Sequence, residues 1–460
     1  MMQVLLAAPA SGGGKTTVTC ALLAALQARG LSPCAFKCGP DYIDPMFHRA
    51  VLGVESRNLD LFLSSEETVR RLFAQGAAGH GAAVCEGVMG YYDGVGGVTD
   101  RASPWHVATV LELPVVLVVR PGGSALTLAA QIQGLCRFRE NSRIAAVLLN
   151  DCSPALCRQL TPVLEGETGI PVLGCLPRME EARFESRHLG LRTAAEIGDL
   201  TRRVAVLGRA LEENAHLDRL LALCGKGGEA AGPQTRPVDP KTRKIRLAVA
   251  SDKAFCFTYQ ETLEALEAAG AELAPFCPLT DRALPEGIGG LYLPGGYPEL
   301  YAQALSENRP LAGAIAAAVK NGRPTVAECG GFLYLGQTLE DDKGQRWPMA
   351  GALPGAGVRR DKLVRFGYAR MTAHRDSLLF RAGETVPVHE FHYWDSTENG
   401  ADFSLEKPVS GQTWQGGFAT ATLYAGFPHL YFAGHPALAE RFVAAAGRYL
   451  GDGYELVGRT

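Results

Sequence analysis

Short, unbroken apolar runs punctuate the first half of the chain: QVLLA, PCAFK, AAVCE, PVVLVV, IAAVLLN and PVLGCL. Between them lie stretches such as TTVTCALLAALQARG, where apolar residues recur at helical spacing. Unbroken runs suit strands covered on both faces, because a strand with one wet face would alternate apolar with polar. A parallel sheet flanked by helices is therefore predicted. The second half repeats the style with IRLAVA, the helical TYQETLEALEAAG, AELAPF, GLYLPGG and PTVAECGG. Between the halves, GKGGEAAGPQTRPVDPKTRK is rich in Gly, Pro and charge, the composition of an exposed linker. The pattern predicts an α/β protein of two open, mainly parallel sheet domains. They would span residues 1–224 and 245–460, with a linker over 225–244.

Composition narrows the picture. With 460 residues, 47% of them hydrophobic, the chain can fill two such cores. Its 45 basic and 48 acidic residues leave a net charge of −3, without the basic excess of a nucleic-acid binder. The longest apolar stretch, VATVLELPVVLVV, contains Glu112 and Pro114 and is too short to span a bilayer. The N-terminus lacks a basic region and runs straight into a glycine loop, unlike a signal peptide. The 12 cysteines form no CxxC pair and no zinc spacing, which suits reduced thiols in the cytoplasm. The expectation is a soluble cytoplasmic protein with no membrane or nucleic-acid partner, acting as a monomer or homodimer.

The first candidate chemistry lies in VLLAAPASGGGKTTVTC. A strand leads into a glycine turn, and Lys-Thr-Thr opens a helix. Backbone amides of such a turn face an anion, and the helix N-terminus adds favourable partial charge. Ser11, Gly12, Gly13, Gly14, Lys15, Thr16 and Thr17 are the expected cradle for ATP. Lys15 would reach the β and γ phosphates, and the Thr16 hydroxyl would bind Mg²⁺. The strict GxxxxGK[ST] pattern fails only at Pro9. Acids for the metal or the substrate lie in KCGPDYIDP (Asp41 and Asp44, with Tyr42 between), SRNLDLF (Asp60) and AAVCEGVMGYYDG (Glu86 and Asp93). Ligands collect at the carboxyl ends of parallel strands, and Glu86 ends one, so it is the first choice for Mg²⁺.

The second candidate is Cys329 in TVAECGG. A strand that turns sharply into a helix exposes one side chain as a nucleophile. A free thiol near its ordinary pKa of ~8.5 is mostly protonated at neutral pH, so a base must help. Candidates are His429 and His435 in GFPHLYFAGHP, and His389 and His392 in HEFHY. Amides of Gly295, Gly296 and Gly330 are plausible oxyanion-hole donors. Arg359, Arg360 and Arg365 in GVRRDKLVRFGYAR read either as a solvated charged strand or as anchors for substrate carboxylates.

Together, ASGGGKTT, FKCGPDYIDP, ESRNLDLF, EGVMGYYDG, YLPGGYPELYA, AECGGFLYL, HEFHYW and HLYF resemble the cobyrinate a,c-diamide synthase family, in order and over nearly the whole chain. The first half is similar to dethiobiotin synthetase and the second to glutamine amidotransferases. The resemblance implies amidation of the a- and c-acetate carboxylates of cobyrinate, a corrin, through acyl phosphates, with L-glutamine as ammonia donor. It implies Asp60 and Glu86 as Mg²⁺ ligands beside Thr16. It gives Asp41, Asp44 and Asp93 to the substrate or a second metal, Asn150 to adenine, and the role of base to His429. His389 and His392 become structural or substrate-side. Relatives acting on hydrogenobyrinate or nickel-sirohydrochlorin share these motifs. Typical triad amidotransferases place a Glu two residues after the histidine. Here that residue is Tyr431, so another group or the backbone must orient the base. A reading from another class is a partition-type regulatory ATPase with a degenerate amidotransferase module. The retained Cys329 and the lack of a basic patch argue against it.

Overall fold

The computed structural model describes residues 1–180, 199–225 and 244–451. Most of the expected linker, 226–243, lies outside the described residues. Packing divides the chain into two units, Met1–Thr235 and Arg236–Thr460.

In the first unit, seven strands form one parallel sheet: β1 (Met2–Ala7), β2 (Pro33–Cys38), β3 (Ser56–Leu59), β4 (Ala82–Glu86), β5 (Val115–Val119), β6 (Ile144–Asn150) and β7 (Val172–Leu176). Their order is β3-β2-β4-β1-β5-β6-β7. Six correspond to the apolar runs. The edge strand β3, SRNL, is too polar to signal itself by pattern. Val4, Leu6, Val84, Val116 and Val118 pack on Val18, Leu22 and Leu26 of the helix Lys15–Ala28 and on Leu207 and Leu211 of the helix Leu200–Asn214. Each such side chain, fully buried, contributes about 1.5–3 kcal/mol. The central strand β1 leads into the glycine turn. Its neighbour β4, and β2 beyond it, bring their carboxyl ends to that turn.

The second unit contains more than the single mainly parallel sheet expected of it. β8 (Ile245–Ala250), β9 (Ala271–Phe276), β10 (Gly290–Leu293) and β11 (Thr325–Glu328) come first. Then come β12 (Thr338–Glu340), β13 (Arg346–Pro348), β14 (Ala356–Ala373), β15 (Thr385–Ser396), β16 (Phe403–Glu406), β17 (Thr413–Gly416), β18 (Phe418–Ala419) and β19 (Leu423–Gly426). The first sheet runs β18-β19-β11-β10-β8-β9, with only β18 antiparallel. The second runs β13-β12-β14-β16-β17, with β15 paired to β14, and is antiparallel except between β12 and β14. Leu247, Val249 and Val326 face Met371, Val388 and Phe403 of the second sheet. Ala248, Ala250 and Ala327 face the opposite layer with Leu311 and Ile315. This alternation follows the two-residue period of a strand. Among the described residues, no helix is long and apolar enough to cross a membrane.

Candidate active sites

The glycine turn of the first unit is built by close approach. Gly14 caps the first helix at φ 90°, and a Cβ there would lie 1.9 Å from Asn150 Nδ2. Only glycine satisfies both the left-handed backbone and the contact. Asn150 Nδ2 donates to the Gly13 carbonyl at 3.2 Å, so this side chain braces the turn. Ser11 and Gly12 are exposed; Gly13, Thr16 and Thr17 are half-buried. The Lys15 ammonium donates to the carbonyls of Met89 and, at 3.2 Å, of Ala10. Burial, aided by repulsion from Lys37, lowers its pKa to about 8 against the pull of Glu86, Asp44 and Asp93.

Thr16 Oγ1 donates to Glu86 Oε1 at 2.6 Å and approaches Asp44 Oδ2 at 3.4 Å. No motif points to Lys37, on β2, yet it joins this cluster. Its buried ammonium pairs with Asp44, with Glu86 Oε1 at 2.8 Å, and with Asp41 Oδ2 at 3.9 Å. A lysine inside PCAFKC was itself a signal, since a charge in a strand covered on both faces must find partners. Burial opposes the Lys37 charge, but the three acids outweigh it and raise its pKa. Glu86 is pushed up to about 7 by burial and by Asp44. Burial and Asp44 also raise Asp41. Asp44 moves the other way: burial would raise it, yet the Lys37 ammonium holds it below the usual carboxylate range. His48, lowered to about 4 by burial, places Nε2 3.8 Å from Glu86 Oε2.

The remaining expected residues have other local tasks. Asp60 Oδ1 accepts the amides of Phe62 and Leu63 at 2.7 and 2.8 Å, closing the turn after β3. Asp93 Oδ2 accepts the Gly90 amide at 2.9 Å. Tyr42 is buried at the start of the helix Ile43–Leu52. The structure thus brings Asp44 and Glu86 to Thr16. Among the described residues, no set of three or more His, Cys, Asp or Glu side chains is arranged to hold a metal. A hydroxyl and two carboxylates nevertheless suit Mg²⁺, which takes few protein oxygens and completes its shell with water and phosphate.

In the second unit, β11 ends at Glu328 and Cys329 turns into the short helix Gly330–Leu335. Cys329 sits at φ 48°, ψ −102°, a strained backbone for a residue with a side chain, costing about 1–3 kcal/mol. Its amide donates to the Gly426 carbonyl at 2.7 Å, which pins the turn to β19. Burial raises the thiol pKa well above its ordinary value, with Glu299 and Glu390 adding to it, while the Gly330 amide bonds the sulfur and opposes them. This thiol therefore requires a base.

His429 is held by main-chain pairing with His389, its amide donating to the His389 carbonyl at 2.9 Å. A Cβ at Gly295 would lie 2.5 Å from His429 Cε1, so the ring rests against bare backbone. The Gly296 nitrogen lies 3.0 Å from where a Gly330 side chain would begin, so these two of the expected oxyanion-hole residues are close neighbours. Glu328 was the other residue missed. Its Oε1 accepts the Leu430 amide at 3.1 Å, and its Oε2 accepts the Tyr292 hydroxyl at 3.1 Å. Oε2 also lies 3.7 Å from His429 Nδ1. Tyr431, at the usual position of the acid, packs its ring edge-on against Tyr259 at 5.1 Å.

The other candidate histidines differ in their surroundings. Burial and the neighbouring His429 and Lys407 push His389 down to about 3. His392 stacks on Phe427 at 3.8 Å and meets Glu390 at 3.1 Å. His435 precedes the helix Pro436–Tyr449. Arg365 is engaged by Glu390 at 3.3 Å and Asp395 at 2.6 Å. Arg359 donates to the Asp342 carbonyl at 2.9 Å, and both Arg359 and Arg360 are exposed.

Comparison with known proteins agrees with two kinds of site in one chain. Residues 4–191 match the CobQ/CobB/MinD/ParA nucleotide binding domain, and residues 246–437 match the CobB/CobQ-like glutamine amidotransferase domain. Proteins named cobyrinate a,c-diamide synthase are similar over nearly their full length. The one from Synechococcus is 38% identical over 96% of this chain and 98% of its own. That from Clostridium acetobutylicum is 38% identical over 95% and 98%, and that from Salmonella typhimurium 39% over 97% and 98%. The chain belongs to the cobyrinate a,c-diamide synthase family of glutamine amidotransferase-type ligases.

Proposed function

We propose that this protein amidates the a- and c-acetate carboxylates of cobyrinate in the cytoplasm, using ATP and glutamine. Full-length similarity to relatives of that name carries the reading. A carboxylate is a poor electrophile because it is negative and resonance-stabilised. Transfer of the γ-phosphoryl group of ATP, which releases ADP, gives an acyl phosphate; ammonia attacks its carbonyl carbon and displaces inorganic phosphate. Lys15 would steady the transferring phosphoryl group, and amides of residues 12–16 would cradle the phosphates. Thr16, Glu86 and Asp44 would hold Mg²⁺, which when bound neutralises phosphate charge. Lys37 keeps Asp44 ionised and in place.

In the second unit, Cys329 would attack the glutamine side-chain carbonyl while His429 takes the thiol proton. His429 would return that proton to the departing ammonia. Amides of Gly296 and Gly330 would face the oxyanion. Water then releases glutamate from the thioester.

The test is incubation with ATP, Mg²⁺, glutamine and, separately, cobyrinate, hydrogenobyrinate or nickel-sirohydrochlorin, with products followed by mass spectrometry. Conversion of cobyrinate to its diamide is expected. Amidation of only another tetrapyrrole would reject the substrate assignment. Cys329→Ser should lose glutamine-dependent synthesis and keep ammonia-dependent synthesis, whereas equal loss of both would sink the two-site reading.

A further inference from the structure

We propose that Glu328 is the positioning residue for His429, taking the place of the acid that triad amidotransferases carry two residues after the histidine. The inference rests on the glutaminase reading of Cys329 and His429.

Three observations carry it. The first is direction. Along β11, Val326 faces the layer shared with the second sheet and Ala327 faces the opposite one, so Glu328 returns to the face of Val326. Tyr292 and Leu430 lie in that same layer. The second is anchoring. Glu328 is 1% exposed, and each of its oxygens accepts a hydrogen bond, from the Leu430 amide and from the Tyr292 hydroxyl. Leu430 directly follows His429, so the carboxylate is tied to the backbone of the residue it would orient. The third is the ring. Oε2 lies 3.7 Å from His429 Nδ1, within ion-pair range and beyond a hydrogen bond. Such catalytic contacts often lengthen without substrate and tighten in the complex.

The chemistry follows from that placement. A carboxylate facing Nδ1 favours the tautomer with the proton on that nitrogen. Nε2, on the ring edge that abuts Gly295, is then left to take the thiol proton. The same charge stabilises the imidazolium formed when the thiol ionises. The nucleophile and the acid serving its base are thus adjacent in sequence, on opposite faces of one strand end.

Other charged groups face this centre. Glu390 on β15 and Glu299 after β10 both act on Cys329, and burial pushes Glu299 up to about 8. Lys407, after β16, acts on His389, which lies beside His429 and is held neutral. The phenols of Tyr292 and Tyr424 are raised by burial and by Glu328, so both stay protonated.

The test compares glutaminase kinetics of the full-length wild type, Glu328→Gln and Glu328→Asp, with Cys329→Ser as the control for the nucleophile. Glu328→Gln should lower kcat roughly a hundredfold or more, with the KM for glutamine little changed. Glu328→Asp keeps the carboxylate and should recover part of kcat at the same KM. Packing damage alone would not be repaired by the shorter acid, so a Glu328→Asp enzyme no faster than Glu328→Gln overturns the proposal. So does a Glu328→Gln enzyme that behaves like wild type. If Glu328→Gln does not fold, Tyr292→Phe removes the hydroxyl that orients Oε2. It should then lower kcat severalfold at constant KM, and an unchanged kcat would overturn the proposal. If the wild type releases no glutamate, or Cys329→Ser still does, the underlying reading fails first and the role of Glu328 falls with it.

Discussion

At the scale of single residues, the first site is a set of buried charges whose protonation depends on one another. Lys15 is the most informative, because burial lowers it to about 8, close to working pH. A triphosphate placed against it would favour the charged form and raise that pKa again. The sign follows directly. Binding selects protonated Lys15, so affinity is highest below about pH 8 and declines as pH rises past the free-protein value. ATP binding above that pH should also draw a proton from solution. Calorimetry in buffers of different ionisation enthalpy measures the uptake directly. Affinity that stays flat from about pH 7 to 9, with no proton uptake, would contradict the role given to Lys15. Lys37 and Glu86 show why such a site resists reading by motif. The acids were visible as acids, but the lysine that neutralises them sits in a strand whose neighbours look purely apolar.

At the scale of elements, both sites use the same device, a strand that ends in a turn where backbone must approach a side chain. In the first unit the device is local in sequence, and residues 11–17 were legible from their spacing. In the second unit it is assembled from three distant segments, the turns after β10 and β11 and the stretch after β19. The sharp turn at Cys329 was legible because the strand, the acid and the glycines are contiguous. The partner of His429 was not, because Glu328 reaches it from another strand, 101 residues earlier in the chain (429 minus 328). The antiparallel second sheet was missed for a related reason. The strand β14 is half exposed and carries charge along much of its length, so its pattern resembles a solvated loop until β15 and β16 are paired with it. The close packing of the three segments makes a prediction. In Gly295→Ala the new methyl would lie 2.5 Å from His429 Cε1, so the ring must shift. A displacement of about 1 Å in a catalytic group costs on the order of a hundredfold in rate. Glutamate release should fall by about that factor, while ammonia-dependent synthesis persists. Wild-type glutaminase in this variant would show that the ring rests elsewhere during catalysis.

At the scale of the whole molecule, each unit carries its own core. The cluster around Val4, Leu22 and Val118 draws on the first unit alone, and those around Leu247 and Ala248 on the second alone. Units with separate cores of this size are expected to unfold as separate cooperative blocks, which breaks a two-state description of the chain. A calorimetric scan should therefore show two transitions. A ligand of one unit should move one of them only, since stabilisation acts through the state that binds. A non-hydrolysable ATP analogue at a hundredfold above its Kd should stabilise the first unit by about 2.7 kcal/mol and leave the second in place. Lys15→Ala should abolish that shift without altering the transition of the second unit. A single transition that moves as a whole with the nucleotide would mean that the two cores melt together. Substitutions in either site would then have to be judged by their effect on both.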